Sequence, residues 1–269
     1  MAIRFERVTE EAKFLNPANN FEPESQIIEY RLDPLTREST FINLTVVEKG
    51  ARWSIALDEG EVREAVEKSR VGCFMCGEQI ERLTPKFMKE TIPEGRMRVG
   101  EVCLFPNTLA LSKHSAVLTL PEQHFLGLDE YTPSILTDYL TCAFKFIERV
   151  YRSDPESEHA VIGCNHLFPA GSTVVHPHFQ IIMGRFPFDY VTRLLADSKR
   201  YFDENSANYW PELVEAEKRE GERYVGRIGN TEWLVPFAPM GIKEVQGLVR
   251  GKSNFLEFDS GDIRDLAEG

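Results

Sequence analysis

The chain has 269 residues, 42% hydrophobic and 28% charged, an ordinary folded-protein mixture that excludes a collagen, a coiled coil or a disordered tail. With 31 Lys and Arg against 43 Asp and Glu, the net charge of −12 repels a polyphosphate backbone and argues against nucleic acid as a partner. No run approaches the roughly 18 apolar residues of a membrane helix, Met1 to Phe14 lacks a signal peptide's apolar core, and five cysteines fit a reduced compartment, so a cytoplasmic protein with no membrane partner is expected.

In chain order, short strands are predicted at Thr40 to Val47, Trp53 to Leu57, Glu101 to Phe105, Ala116 to Leu120, His159 to Cys164, Phe179 to Phe186, Glu232 to Phe237, Glu244 to Val249 and Phe255 to Phe258. Their close spacing favours antiparallel pairing. A long helix opens with Thr132 as N-cap and Pro133 at its first position, and places Leu136, Tyr139, Leu140, Ala143, Phe144, Ile147 and Tyr151 on one stripe. A second helix is expected from about Asp189 to Ser198, resuming from Pro211 to Glu220. No internal repeat or linker stands out, so residues 1–269 read as a single α+β domain. Asp259 to Ala267 has the start signals of a helix, after which the chain stops, which suggests that the C-terminal end of the fold is missing.

Two features carry chemistry. Cys73-Phe74-Met75-Cys76 lets two thiolates face one tetrahedral ion, but alone it also fits a redox pair or two buried free cysteines, and a metal needs two more ligands. In His176-Pro177-His178-Phe179-Gln180 an extended backbone sends His176, His178 and Gln180 to one face. Pro177 is tolerated only at a strand start or edge, which puts both histidines where a ligand reaches them. Upstream, Asn165 to Thr173 supplies a loop whose Gly171 permits close backbone approach and whose Ser172 can bond phosphate oxygens. The remaining chemistry-bearing residues read as structural: His114 as a solvated loop residue, the acidic run from Glu212 to Glu222 as a solvated helix face, and Cys103, Cys142 and Cys164 as core.

The His-x-His-x-Gln strand, preceded by Asn165 and the Gly171-Ser172 loop, resembles the histidine-triad superfamily and specifically its galactose-1-phosphate uridylyltransferase branch. Asp33-Pro34-Leu35-Thr36, the Cys-x-x-Cys, Leu104-Phe105-Pro106-Asn107, Pro121-Glu122-Gln123-His124 and Trp233 to Pro239 are similar to segments of that branch, in the same order. The resemblance implies a largely antiparallel histidine-triad-like sheet of half-barrel type with flanking helices. It implies a zinc ion held by Cys73, Cys76, His124 and His176, and His178 as the nucleophile of a nucleotidyltransferase, assisted by Gln180. Asn107, Asn165, Gly171 and Ser172 would then bind substrate, a nucleoside monophosphate (UMP favoured) would pass between a nucleotide sugar and a hexose 1-phosphate as in galactose metabolism, and the protein would be a homodimer. A nucleotide or nucleotide-sugar phosphorylase or hydrolase is the alternative within the superfamily, and a zinc-stabilised nucleotide-binding protein without turnover is the alternative outside enzymes. The chain departs from the family pattern at Phe179, where a small residue is usual, and at Thr108-Leu109, which replace residues that meet ribose and base. It has no histidine beyond His178, and Arg52 and Arg96 are the basic residues offered for the phosphate contact of the early strand.

Overall fold

The computed structural model describes residues 3–48 and 58–269, so Arg52 and the predicted strand Trp53 to Leu57 lie outside the described residues. In chain order the elements are β1 (Glu6–Asn16), β2 (Glu22–Leu32), β3 (Ser39–Asn43), α1 (Leu44–Glu48), α2 (Glu59–Arg70), α3 (Gln79–Leu83), β4 (Met97–Val99), β5 (Val102–Pro106) and β6 (His114–Thr119). They continue with α4 (Pro133–Ser153), β7 (His159–Gly163), β8 (His178–Gly184), α5 (Asp189–Asn205), α6 (Tyr209–Glu220), β9 (Tyr224–Ile228), β10 (Thr231–Leu234), β11 (Gln246–Val249) and α7 (Ser260–Glu268). Contacts group the described residues into two compact units, one from Met1–Ala56, Phe188–Arg227 and Thr231–Arg250, the other from Leu57–Pro187, Ile228–Asn230 and Gly251–Gly269.

The second unit is built on a five-stranded open sheet in the order β4-β5-β6-β8-β7, antiparallel at every pairing. Strand alternation divides its side chains. Leu104, Leu118, Ile181 and Met183 face the stripe of α4 that carries Tyr139, Ala143, Phe146, Ile147 and Val150, all buried. Fully burying a side chain such as Ile181 contributes about 2–3 kcal/mol, which makes this face the main source of cohesion of the unit. Cys103, Phe105 and Val117 face the other way and pack on Met75 and Ile80. The helix starts as expected: the Thr132 hydroxyl accepts from the Ile135 N–H at 3.3 Å, and Pro133 occupies the first turn, where its missing N–H costs nothing.

The first unit holds two three-stranded sheets, β1-β2-β3 and β11-β10-β9. The β1–β2 hairpin is not expected from the sequence, because β1 is polar and exposed along almost its whole length and has no buried alternate face to betray it. Helix α6 packs Tyr209, Leu213 and Val214 on Leu35 and Leu234. Its acidic run is therefore not a wholly solvated face: Glu217 is fully buried, 2.9 Å from Arg223, whose guanidinium lies over the Phe5 and Phe237 rings.

Several sequence expectations are corrected. The predicted strand Thr40 to Val47 ends at Asn43, whose side chain accepts from the Val46 N–H at 3.0 Å and turns the chain into α1. Phe255–Glu257 is a 3-10 turn, nucleated by the Asn254 side chain, in place of a strand. His114 is a β6 residue bonded at 2.7 Å to Asp154, the C-cap of α4, and Cys164 is exposed where core was expected. The order of three strands, a 3-10 turn and a helix also occurs twice, as β4-β5-β6, Leu128–Glu130 and α4, and as β9-β10-β11, Phe255–Glu257 and α7. Element order needs no shared residues, so this repetition leaves no mark the eye finds in the sequence. Among the described residues, no helix is long and apolar enough to cross a membrane.

Candidate active site and metal centre

The residues that face away from α4 build the site. A turn after α2 carries Cys73 and Cys76: Cys76 N–H reaches the Cys73 carbonyl at 3.4 Å, and Gly77, in the left-handed region at φ +50, donates its N–H to the Pro121 carbonyl at 2.8 Å. That last bond ties the turn to the segment bearing His124. Cys73, Cys76, His124 and His176 come together with their ligand atoms all within 4.8 Å of one another. Cys76 Sγ lies 3.1 Å from His124 Nδ1 and 3.5 Å from His176 Nδ1, and Cys73 Sγ lies 3.5 Å from His176 Nδ1.

The donor set fits a metal. Tetrahedral bonds of about 2.0–2.3 Å to nitrogen and sulfur put neighbouring ligand atoms roughly 3.3–3.8 Å apart, close to the spacings found here. The far nitrogens are also fixed. His176 Nε2 lies 3.0 Å from the Leu120 carbonyl, to which only a protonated nitrogen can bond. His124 Nε2 lies 2.9 Å from the Ser69 hydroxyl, which itself donates to the Val66 carbonyl and so accepts from the imidazole. Both rings therefore present an unprotonated Nδ1 to the centre, the tautomer a metal requires. Burial pushes the Cys76 thiol up to about 12, with Cys73 adding to the shift, and lowers His176 to about 4. Both are what burial does to groups deprived of water, in part for the half-buried Cys76 and almost wholly for His176.

Two residues further along β8, His178 is buried, and its Nδ1 donates to the His176 carbonyl at 2.9 Å. That bond leaves Nε2 as the basic nitrogen, and Gln180 Nε2 stands 3.4 Å from it. The Pro177 carbonyl between the two histidines accepts from Thr119 Oγ1 at 2.9 Å and from the Tyr139 hydroxyl at 3.2 Å, so the strand start is held from two elements. Phe179 points to the opposite face and stacks on Tyr139 with centroids 4.3 Å apart. Its bulk is accommodated in the core and leaves the histidine face untouched.

The remaining residues singled out from sequence sit in loops of the same unit. Gly171, in the left-handed region at φ +86, has open space where a Cβ would stand except for Asn165 Nδ2 at 3.8 Å, and Asn165 is exposed. The Ser172 hydroxyl donates to the Val174 carbonyl at 2.6 Å and shapes the loop. Asn107 accepts from the Leu109 N–H at 2.9 Å, a turn that follows β5. Arg96 holds no open position for phosphate: it is buried and bonds Glu81, Thr84 Oγ1 and the Thr84 carbonyl. Sequence reasoning missed Ser69, Thr119 and Tyr139. Ser69 closes the last turn of α2 far from His124 in sequence, and only the Cys-x-x-Cys following it hinted that this turn adjoins a metal ligand.

No protein-family model matches the chain. An uncharacterized protein from Archaeoglobus fulgidus is 33% identical over 248 residues, which are 91% of this chain and 70% of that protein. Among solved structures, an ADP-glucose phosphorylase from Arabidopsis thaliana with bound ADP-glucose superposes at TM-score 0.67 and 17% identity, covering 90% of this chain and 74% of that one. A GalT-like protein from Arabidopsis thaliana gives TM-score 0.60 at 19% identity over 72% of this chain and 66% of that one. A uridylyltransferase mutant gives 0.60 at 18% over 73% and 66%. At these identities the superpositions show the fold.

Proposed function

We propose that this chain, which belongs to one family with the Archaeoglobus fulgidus protein and has the α+β fold of the galactose-1-phosphate uridylyltransferase-like branch of the histidine-triad superfamily, is a nucleotidyltransferase that works through a covalent nucleotidyl-histidine on His178. The observation that carries this reading is the bond from His178 Nδ1 to the His176 carbonyl, which aims a basic Nε2 past the Gln180 amide.

Nε2 attacks the α-phosphorus of a nucleotide sugar, an N–P bond forms, and the bond to the sugar phosphate breaks with its electron pair leaving on oxygen. The positive charge of the substituted imidazole is met by the His176 carbonyl at Nδ1–H. An incoming phosphate oxygen then reverses the step and frees the imidazole. Gln180 Nε2 donates to a phosphoryl oxygen, and Asn165 with the Gly171 loop, whose shape the Ser172 hydroxyl sets through the Val174 carbonyl, holds the phosphates where negative charge grows, with Asn107 on the nucleoside. The Cys73, Cys76, His124 and His176 set, whose donors suit a tetrahedral N/S site, would hold zinc. Four protein ligands would leave such an ion structural, and holding it would rigidify the strand that bears His178.

In the first reading UMP passes between a nucleotide sugar and a hexose 1-phosphate. The larger share of this chain superposed on an ADP-glucose phosphorylase favours a second, in which AMP is the transferred group and inorganic phosphate the acceptor. In either case the protein acts in the cytoplasm as a homodimer. Incubation with UDP-glucose or ADP-glucose, followed by galactose 1-phosphate or inorganic phosphate, separates them. A new nucleotide sugar formed from UDP-glucose with galactose 1-phosphate supports the first, ADP formed from ADP-glucose only when phosphate is added supports the second, and no product in any combination contradicts both.

A further inference from the structure

The first unit carries a cleft of about 620 Å³, within the roughly 300–1,000 Å³ of small-molecule sites. The Asp33-Pro34-Leu35-Thr36 segment, which the chemistry at His178 does not use, forms one wall. Asp33 Oδ1 accepts from the Leu35 and Thr36 N–H groups at 2.9 and 2.7 Å, and Thr40 Oγ1 pins the facing loop by donating to the Pro239 carbonyl at 2.9 Å. Phe41 stands on the rim, 63% exposed, its ring fixed edge-on against Tyr30 at 4.7 Å and 77°. A large ring so held is an exposed apolar face in a set position.

Charge decides the class of ligand. Among the described residues no lysine or arginine lines the cleft, whereas Asp33, Glu38, Glu217 and Glu244 do, and the arginines that touch the lining are already paired with carboxylates, so a phosphate finds no unspent cation. A cationic ligand is not called for either. Glu38 already pairs with Arg193, Glu217 with Arg223 at 2.9 Å, and Asp33 and Glu244 accept backbone N–H groups. Asp33, Glu38 and Glu244 in that state still have lone pairs for hydroxyl donors, whereas the buried Glu217 is spent on Arg223. Tyr190, Trp210 and Gln246 also line the cleft, and among the described residues the Tyr190 hydroxyl, the Trp210 indole N–H and the Gln246 side-chain amide make no hydrogen bond. Burial, then Glu244, Asp33 and Glu38, push the Tyr190 phenol up, so it stays a donor at neutral pH.

We propose that this cleft binds a neutral sugar, with the ring's C–H face on Phe41 and Trp210 and its hydroxyls shared among the carboxylates, Tyr190 and Gln246. The exposed Phe41 face beside the half-buried Trp210, unspent donors and acceptors, and a lining without cations together suit a polyhydroxylated, unphosphorylated ring.

The test is ligand-observed NMR titration of the full chain with D-glucose and maltose, against glucose 1-phosphate and tetramethylammonium as controls, in the wild type, Phe41→Ala, Gln246→Leu and His178→Ala. A neutral sugar is expected to bind in the millimolar range and more tightly than either control. Phe41→Ala should weaken it by about tenfold with an unchanged melting temperature, since that side chain is mostly in solvent, and His178→Ala should not change it. If Phe41→Ala melts early, Gln246→Leu must still show the loss. The proposal is overturned if neither sugar binds at tens of millimolar, if glucose 1-phosphate or tetramethylammonium binds more tightly, or if binding falls in His178→Ala and not in the cleft variants.

Discussion

At the scale of single residues, the Cys73, Cys76, His124 and His176 cluster is shaped by groups outside it. Ser69 accepts the His124 Nε2–H at 2.9 Å and so selects the tautomer that turns Nδ1 inward. Ser69→Ala should therefore reduce metal affinity about 10- to 100-fold while leaving all four ligands in place, read by competition with a zinc chelator. Cys76→Ser should abolish stoichiometric metal in the purified protein by elemental analysis; retention of one ion per chain in that variant would dissolve the four-ligand site. The clustering of Cys73, Cys76, His124 and His176 was legible in the sequence because two form a Cys-x-x-Cys and the family resemblance ordered the others. Ser69 was not, because nothing in a lone serine announces a histidine 55 positions away.

At the scale of elements, β8 is the part on which the site hangs. The Pro177 carbonyl just before it is held by Thr119 of the neighbouring strand and by Tyr139 of α4. Tyr139→Phe and Thr119→Val should each cost about 1 kcal/mol of stability by denaturant titration. The double variant should depart from additivity, because both donors serve one acceptor. Ile181→Ala, in the fully buried face against α4, should cost about 2–5 kcal/mol. The sequence revealed α4 because Thr132, Pro133 and a helical apolar stripe all agree. It hid β1 because a strand without a buried face has no period to read, and it suggested a strand at Phe255 because Phe255, Leu256 and Phe258 read as a short apolar segment that carries no sign of the Asn254 cap that bends it.

At the scale of the whole molecule, an acid-sensitive clasp joins the start of β6 to the end of α4. Bonds from Lys113, then His114 and Ser157, hold the Asp154 carboxyl well below the usual carboxylate range. A group depressed in the folded state contributes stability above its unfolded pKa of about 3.9, and that contribution is lost as the pH falls below about 4 toward the folded value. Asp154→Asn should accordingly melt below the wild type at pH 7, with the gap closing as the pH drops under 4. A gap that stayed constant with pH would mean the clasp has no electrostatic part. The general plan, an α+β chain with antiparallel sheets, followed from the spacing of short strands. The grouping of segments 188–227 and 231–250 with the N-terminal strands did not, since local pattern says nothing of which distant segments meet.

The most direct measurement is the intact mass of the protein after incubation with UDP-glucose and, separately, ADP-glucose, under conditions that preserve phosphoramidates, in the wild type and in His178→Ala. The account predicts a gain of one nucleoside monophosphate in the wild type with one of the two donors and none in His178→Ala. An adduct that persisted in His178→Ala, or none with either donor in folded, metal-loaded protein, would contradict it.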